Sequence, residues 1–167
     1  MTEKENPMAG KVISGSFPSG IPGTVSRSGD NVIDSYAVYD TSNTIEPGTP
    51  VVLGLTGLTV QAFGSSSTAA NLVGFAVRDS RADDPYGSGA IKFSNNQMID
   101  VLKRGCITVR LGAGTPLRGG NVYYNYVHKY ICAAAVTNET TQLTNCKFNG
   151  PRDSNNNVEI VVLTRQL

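Results

Sequence analysis

The stretch MIDVLKRGCITVRLG, residues 98–112, alternates apolar and other side chains along most of its length. Its apolar residues on alternating positions are Ile99, Val101, Ile107, Val109 and Leu111. A two-residue period is typical of a β-strand with one buried face. Gly105 interrupts the alternation at a position where a β-bulge would lie. The stretch therefore predicts a strand with an irregularity near its centre.

Similar runs occur on both sides of this stretch, separated by turn signals. Predicted strands lie in residues 31–40, 51–53, 58–63, 72–77, 121–132 and 158–164. Pro47-Gly48 and Thr56-Gly57 mark turns between them. The tyrosine-rich run NVYYNYVHKYICAAAV fits two strands with a tight turn near His128-Lys129 better than one helix, because aromatic and β-branched residues weaken helices.

Helix is predicted to be scarce. The 167 residues include 18 Gly and 8 Pro, a density of helix breakers that leaves little room for long helices. Residues 69–71 allow a single helical turn, and Ala133 to Lys147, which lacks Gly and Pro, allows one short helix. We expect an all-β, jelly-roll-like sandwich or barrel with little helix.

The predicted organisation is an extended N-terminal arm, residues 1–24, followed by a single β domain, residues 25–167. Pro18 and Pro22 are too close together for a helix or a central strand. Phe17 and Ile21 would then be apolar anchors on a neighbouring surface. A strap tied to the arm's own domain is an equally open reading.

Composition limits the possible functions. The chain has 14 Lys+Arg and 13 Asp+Glu, a formal net charge of +1, which speaks against a polybasic nucleic-acid or membrane-surface protein. It has one histidine and three widely spaced cysteines, so neither a multi-histidine metal site nor a disulfide framework is predicted. No nucleophile motif or phosphate-binding loop is present. We expect no enzymatic activity, no cofactor and no metal.

Two stretches remain as candidate interaction surfaces. The loop that begins at Arg78 and contains Arg81, Asp83 and Asp84 is the densest charge cluster, and such loops are usually solvated or face a partner. Tyr124 and Tyr126 belong to the tyrosine-rich hairpin. Tyrosines there could stack on sugars or bases, form a protein interface, or lie half buried in the sheet.

Several motifs, in order and spacing, resemble the head decoration or structural cement proteins of tailed bacteriophages. The matching segments are Pro22-Gly23-Thr24-Val25, residues 45–51, residues 72–78, residues 101–109 and residues 119–125. The likeness runs over most of residues 15–165.

The resemblance implies a non-enzymatic structural protein of the virion that binds the outside of the capsid and cements neighbouring capsomers. Its partners would be the major capsid protein and further copies of itself, as a homodimer or homotrimer, without direct contact to nucleic acid or membrane. It would be made in the host bacterial cytoplasm. The hypothetical capsid or subunit interface comprises Phe17, Pro18, Ile21, Pro22, Arg78, Arg81, Asp83, Asp84, Tyr124 and Tyr126.

Two other functions fit the same residues. A carbohydrate-binding β-sandwich, free or displayed on a virion, would use the tyrosines as stacking platforms. A tail or baseplate β-module is the third possible function.

Overall fold

Most of the β-strands lie where the sequence predicts strands. A computed structural model describes residues 19–27, 29–40, 45–79 and 91–163. The strands in these ranges are β1 (Val32–Val38), β2 (Pro50–Leu53), β3 (Thr59–Ala62), β4 (Leu72–Ala76), β5 (Met98–Ala113), β6 (Asn121–Asn125), β7 (Tyr130–Cys132), β8 (Thr140–Phe148) and β9 (Asn157–Val162). A single 3₁₀ turn spans Ala69–Asn71, as predicted. The all-β fold class is confirmed.

The long strand β5 belongs to two closed sheets. In the first, the order is β1-β3-β2-β4-β5, and β1 pairs back onto β5. In the second, the order is β5-β7-β6-β8-β9, and β9 pairs back onto β5. The protein is therefore built of two five-stranded barrels that share one strand, here called the first and second barrel.

The irregularity predicted near Gly105 lies at the junction between the two barrels. Pairing with β1 ends at Arg104, and pairing with β9 starts at Gly105. The β1–β5 register shifts just before this point. Gly105 has φ +125°, and a Cβ atom there would overlap the side chain of Asn31. Only glycine fits this junction without displacing its neighbour.

Alternate residues of the first barrel face two different cores. Val51, Val73 and Val101 belong to the core inside the first barrel. Their chain neighbours Val52, Leu72 and Leu102 pack instead with the core of the second barrel. Successive residues of a strand point to opposite faces of the sheet. The strands of the first barrel therefore have buried residues on both faces. The two barrels are thus joined by packing as well as by β5.

The prediction of a short helix within Ala133 to Lys147 is wrong. The chain turns after β7 and then forms β8, which pairs with β6 on one side and β9 on the other. Leu143, Cys146 and Phe148 are buried in the second core. Pairing with two strands, together with the β-branched Thr140 and Thr141, outweighs the absence of helix breakers. The turn near His128-Lys129 is confirmed, with Lys129 at φ +58°.

Residues 19–27, which we call the strap, lie on the protein's own β domain. Val25 bridges Ile107 of β5, and the N–H of Gly23 donates to the carbonyl of Thr108 at 2.8 Å. Along β5, the residues that contact the strap come after those that pair with β4 and before those that pair with β7. Residues 1–18 of the predicted arm, including Phe17 and Pro18, lie outside the described residues, and its boundary at residue 24 stays a prediction.

Candidate interaction site

A cleft of about 180 Å³ opens where the two barrels meet. Its walls come from the strap, the turn at residues 46–49 and the β6–β7 hairpin, with Arg110 of β5 beside them. Arg78 and Ile91, which flank a chain segment outside the described residues, also line it. Segments distant in sequence therefore form one concave surface.

Backbone contacts fix the strap wall of the cleft. The N–H of Arg78 donates to the carbonyl of Gly23 at 2.8 Å, and the N–H of Gly48 donates to that of Ala76 at 2.7 Å. Gly23 and Gly48 have φ +87° and +80°. A Cβ atom on Gly23 would overlap that of Pro47, and one on Gly48 would lie 2.9 Å from the Gly23 nitrogen. The two glycines allow the strap and turn to touch at backbone distance.

Tyr124 contributes to the cleft as a mostly buried ring. It is 3% exposed and packs edge to face against Phe63, with ring centroids 5.6 Å apart. Burial raises the pKa of its hydroxyl, with a smaller contribution from Glu46. A ring this deeply buried presents no open face to a sugar, which counts against the stacking function considered for this residue.

A smaller recess adjoins the cleft. Tyr126 and Phe63 line it, and it shares Glu46, Tyr124 and Lys129 with the cleft itself. The Tyr126 hydroxyl donates to the carbonyl of Asn138 at 2.6 Å, which fixes the ring beside the β6–β7 turn. The concave surface thus continues from the strap to the tyrosine-rich hairpin.

The rim of the cleft carries charges of both signs. Arg78, Arg110 and Lys129 line it together with the carboxylate of Glu46. The Nζ atom of Lys92 lies 3.8 Å from Glu46 Oε1. The lining residues that the structure describes therefore have more cations than carboxylates above an apolar floor. Such a surface can contact an occupant that has both apolar and charged groups.

Asp153 holds the start of the strap. Its carboxylate is buried and accepts backbone N–H groups of Ser19, Asn155 and Asn157, each at 2.8 Å. Burial by itself would raise the pKa of this carboxyl, but the three donors outweigh it, so the pKa is lowered. The ionised form is therefore the one that secures this end of the strap.

Glu159 holds the other end of the strap. It accepts the hydroxyl of Ser26 at 2.6 Å, Nε and Nη2 of Arg27 at 2.8 and 3.0 Å, and the amide of Asn149 at 2.6 Å. Burial opposes ionisation, yet the hydrogen bonds and the arginine charge lower the pKa below its ordinary value. Two carboxylates thus tie the strap to the second barrel.

Of the interface residues predicted from the sequence, four come together at the cleft: Ile21, Pro22, Arg78 and Tyr124. Tyr126 lies in the adjoining recess. Phe17, Pro18, Arg81, Asp83 and Asp84 lie outside the described residues.

Sequence reasoning missed Glu46, Arg110 and Lys129 as cleft residues. Arg110 is an outward-facing position of a strand, and nothing in its sequence context distinguishes it from other exposed strand residues. Glu46 immediately precedes the Pro47-Gly48 turn, and that turn was the one available signal.

Among the described residues, no three His, Cys, Asp or Glu side chains are grouped so that they could hold a metal ion. No helix in the described part of the chain is long and apolar enough to cross a membrane.

The fold and the cleft define a class of protein: a double β-barrel with a cleft at the barrel junction that has an apolar floor and a charged rim. The model of one family, described as structural cement protein (E217 gp24/Pam3 gp6), matches residues 11–164. The chain belongs to this structural cement protein family of phages, and it is therefore a structural protein.

A solved structure shares the fold. A chain in the capsid of Myoviridae phage XM1 superposes with a TM-score of 0.72 at 16% sequence identity. The match covers 91% of this chain and 94% of that chain. No curated protein sequence matches. At this identity the likeness establishes that the double-barrel architecture is common to both chains.

Proposed function

We propose that the protein binds the outside of the expanded phage capsid and cements neighbouring capsomers, with the barrel-junction cleft as one of its contact surfaces. The observation that carries this proposal is the convergence of Ile21, Pro22, Arg78 and Tyr124 at one cleft. These residues come from three segments that the sequence marks as interaction candidates. Membership in the cement family supports a capsid as the partner.

The energetics of cementing require no single strong site. A protein that binds only the expanded lattice stabilises that lattice by mass action. Many copies around the shell, and more than one contact per copy, multiply modest affinities. The clamped strap suits this role, because a contact surface that is already ordered loses little conformational entropy on binding.

The partners in this proposal are the major capsid protein and further copies of the chain, arranged as a homodimer or homotrimer on the virion exterior. Residues 1–24, of which Ile21 and Pro22 line the cleft, and the loop that follows Arg78 would together enlarge the contact. A net charge of +1 supports a layer of closely spaced copies, since self-repulsion within it is small. Synthesis would take place in the host bacterial cytoplasm.

Reversing one charge at the cleft tests the proposal. We expect Arg110→Glu to weaken binding to expanded, undecorated capsids by roughly tenfold, because the cleft loses a cation that faces the shell. Co-sedimentation over a range of protein concentrations gives the apparent Kd. The matched control is Arg118→Glu, the same charge change at an exposed position outside the cleft.

Equal loss in both variants would show that only net charge matters, and no loss in either would remove the cleft from the contact surface. Absence of binding by the unmodified protein would reject the capsid-exterior proposal itself.

A further inference from the structure

The β2–β3 hairpin displays two leucines at its tip. Leu55 is 98% exposed and Leu58 is 79% exposed, the two highest exposures among the large hydrophobic residues described. They lie in the turn between Leu53 and Thr59. Isolated surface leucines are common, whereas here two highly exposed leucines lie three residues apart in one turn.

Hydrogen bonds hold the tip in this conformation. The N–H of Gly54 donates to the carbonyl of Thr59 at 2.7 Å, and the N–H of Gly57 donates to that of Gly54 at 3.1 Å. The hydroxyls of Thr56 and Thr59 lie 3.1 Å apart. Gly57 has φ +72°, which closes the turn. The leucines are thus presented by an ordered turn that is closed by its own bonds.

The chain around the tip carries no charge. Residues 47–77 contain no Asp, Glu, Lys or Arg, although 16% of the whole chain is charged. This region includes β2, β3, β4 and both loops between them. A turn without charged side chains can be buried against an apolar partner without desolvating an ion of its own. The hairpin therefore matches an uncharged partner surface, in contrast to the charged rim of the cleft.

The hairpin also links the two surfaces. Thr49, directly before β2, lines the cleft, and Phe63, directly after β3, lines the adjoining recess. The tip lies beyond the opposite ends of these strands. The four residues of β2 span about 13 Å at the usual strand rise. One rigid element thus has the cleft at its base and the leucines at its tip.

We propose that the Leu55–Leu58 tip is a second attachment surface, which inserts into an uncharged, apolar recess of the capsid shell. This inference rests on the proposed cementing function, because a cement has to contact two neighbouring capsomers. A tip and a cleft at opposite ends of one hairpin provide two such contacts. The tip contributes apolar burial, whereas the cleft contributes charge complementarity.

The test uses the full-length protein and expanded, undecorated capsids at low and at high salt. Leu55→Ser combined with Leu58→Ser is expected to raise the apparent Kd roughly tenfold or more. The ratio to wild type should be the same at both salt concentrations, because apolar burial is not screened. For Arg110→Glu the ratio should shrink at high salt. Leu117→Ser, at a 70% exposed leucine of the second barrel, is the matched control and should bind as wild type.

Thermal unfolding of each variant checks that the fold is intact, which we expect because the substituted leucines are exposed. If wild type binds and the tip variant binds equally well, the inference is wrong while the cementing function stands. If light scattering shows that wild type self-associates through the tip, and capsid occupancy of the variant is unchanged, the occupant is a second copy and the inference is overturned. If wild type does not bind, both proposals fail.

Discussion

Gly23 and Gly48 bring the strap against the turn at residues 46–49. Both have positive φ, and a Cβ atom on either would meet backbone or proline atoms of the facing segment. An alanine at such a site combines an unfavourable backbone conformation with a steric overlap. The shape of the cleft wall therefore depends on glycine, which has no side chain, at both positions.

We expect Gly23→Ala to lower the free energy of unfolding by about 2–4 kcal/mol, because backbone strain and overlap add. Gly119→Ala is the matched control: Gly119 has φ +80°, but no atom of a facing segment lies within 4 Å of the place a Cβ atom would take, so only the strain of about 1–2 kcal/mol remains. Urea unfolding of both variants measures the difference. Equal destabilisation would show that the strap and turn separate at no cost.

The three cysteines of the described chain are free thiols that differ in exposure. Cys132 and Cys146 are buried, and Cys106 is partly exposed. Burial raises the pKa of all three thiols, that of Cys146 to about 12. Thiols with a raised pKa are poor nucleophiles at neutral pH, so these side chains serve as small apolar groups.

At the scale of elements, the strap is held by ionised carboxylates, and this makes its attachment dependent on pH. Asp153 and Glu159 both have a lowered pKa in the folded protein. A carboxyl with a lowered folded pKa contributes stability that is complete above its unfolded pKa and is lost as pH falls through the folded pKa. The strap should therefore loosen in acid, below about pH 4.

We expect Asp153→Asn to be less stable than wild type at pH 7 and to lose less stability between pH 7 and pH 3. Glu159→Gln should behave in the same way, because each variant removes one group that titrates in this window. Urea unfolding at the two pH values gives the free energies. A wild-type stability that does not change between pH 7 and pH 3 would contradict this account of the strap.

The strands themselves could be read from the sequence, because alternation is a local property. The 98–112 stretch, the interruption near Gly105 and the turn near His128-Lys129 all follow from neighbouring residues. The closure of two barrels through β5 could not, since Val101 and Ile107 pair with strands far apart in the chain. The predicted helix within Ala133 to Lys147 failed for the same reason: the pairing of β8 is not visible locally.

At the scale of the whole molecule, part of the candidate site was predictable. Ile21, Pro22, Arg78 and Tyr124 could be named from proline spacing, charge density and aromatic content. That they share one cleft depends on the barrel junction. Arg110 and Glu46 enter the site only through that geometry. The sequence identifies the leucine tip only as a hairpin turn, because exposure of Leu55 and Leu58 is a property of the folded chain.

The two proposed surfaces lie at different places on the molecule and differ in charge. The cleft has a charged rim at the barrel junction, and the tip is uncharged at the far end of the β2–β3 hairpin. A cement with these features would resist separation of capsomers through contacts of different physical kinds. Salt would weaken one of them and leave the other unchanged.

Cryo-electron microscopy of the source particle tests this account most directly. We predict double-barrel density on the outside of the expanded capsid, with the cleft against one capsomer and the Leu55–Leu58 tip against a neighbouring one. Density confined to the tail or baseplate, or a decorated capsid in which both surfaces face solvent, would contradict it.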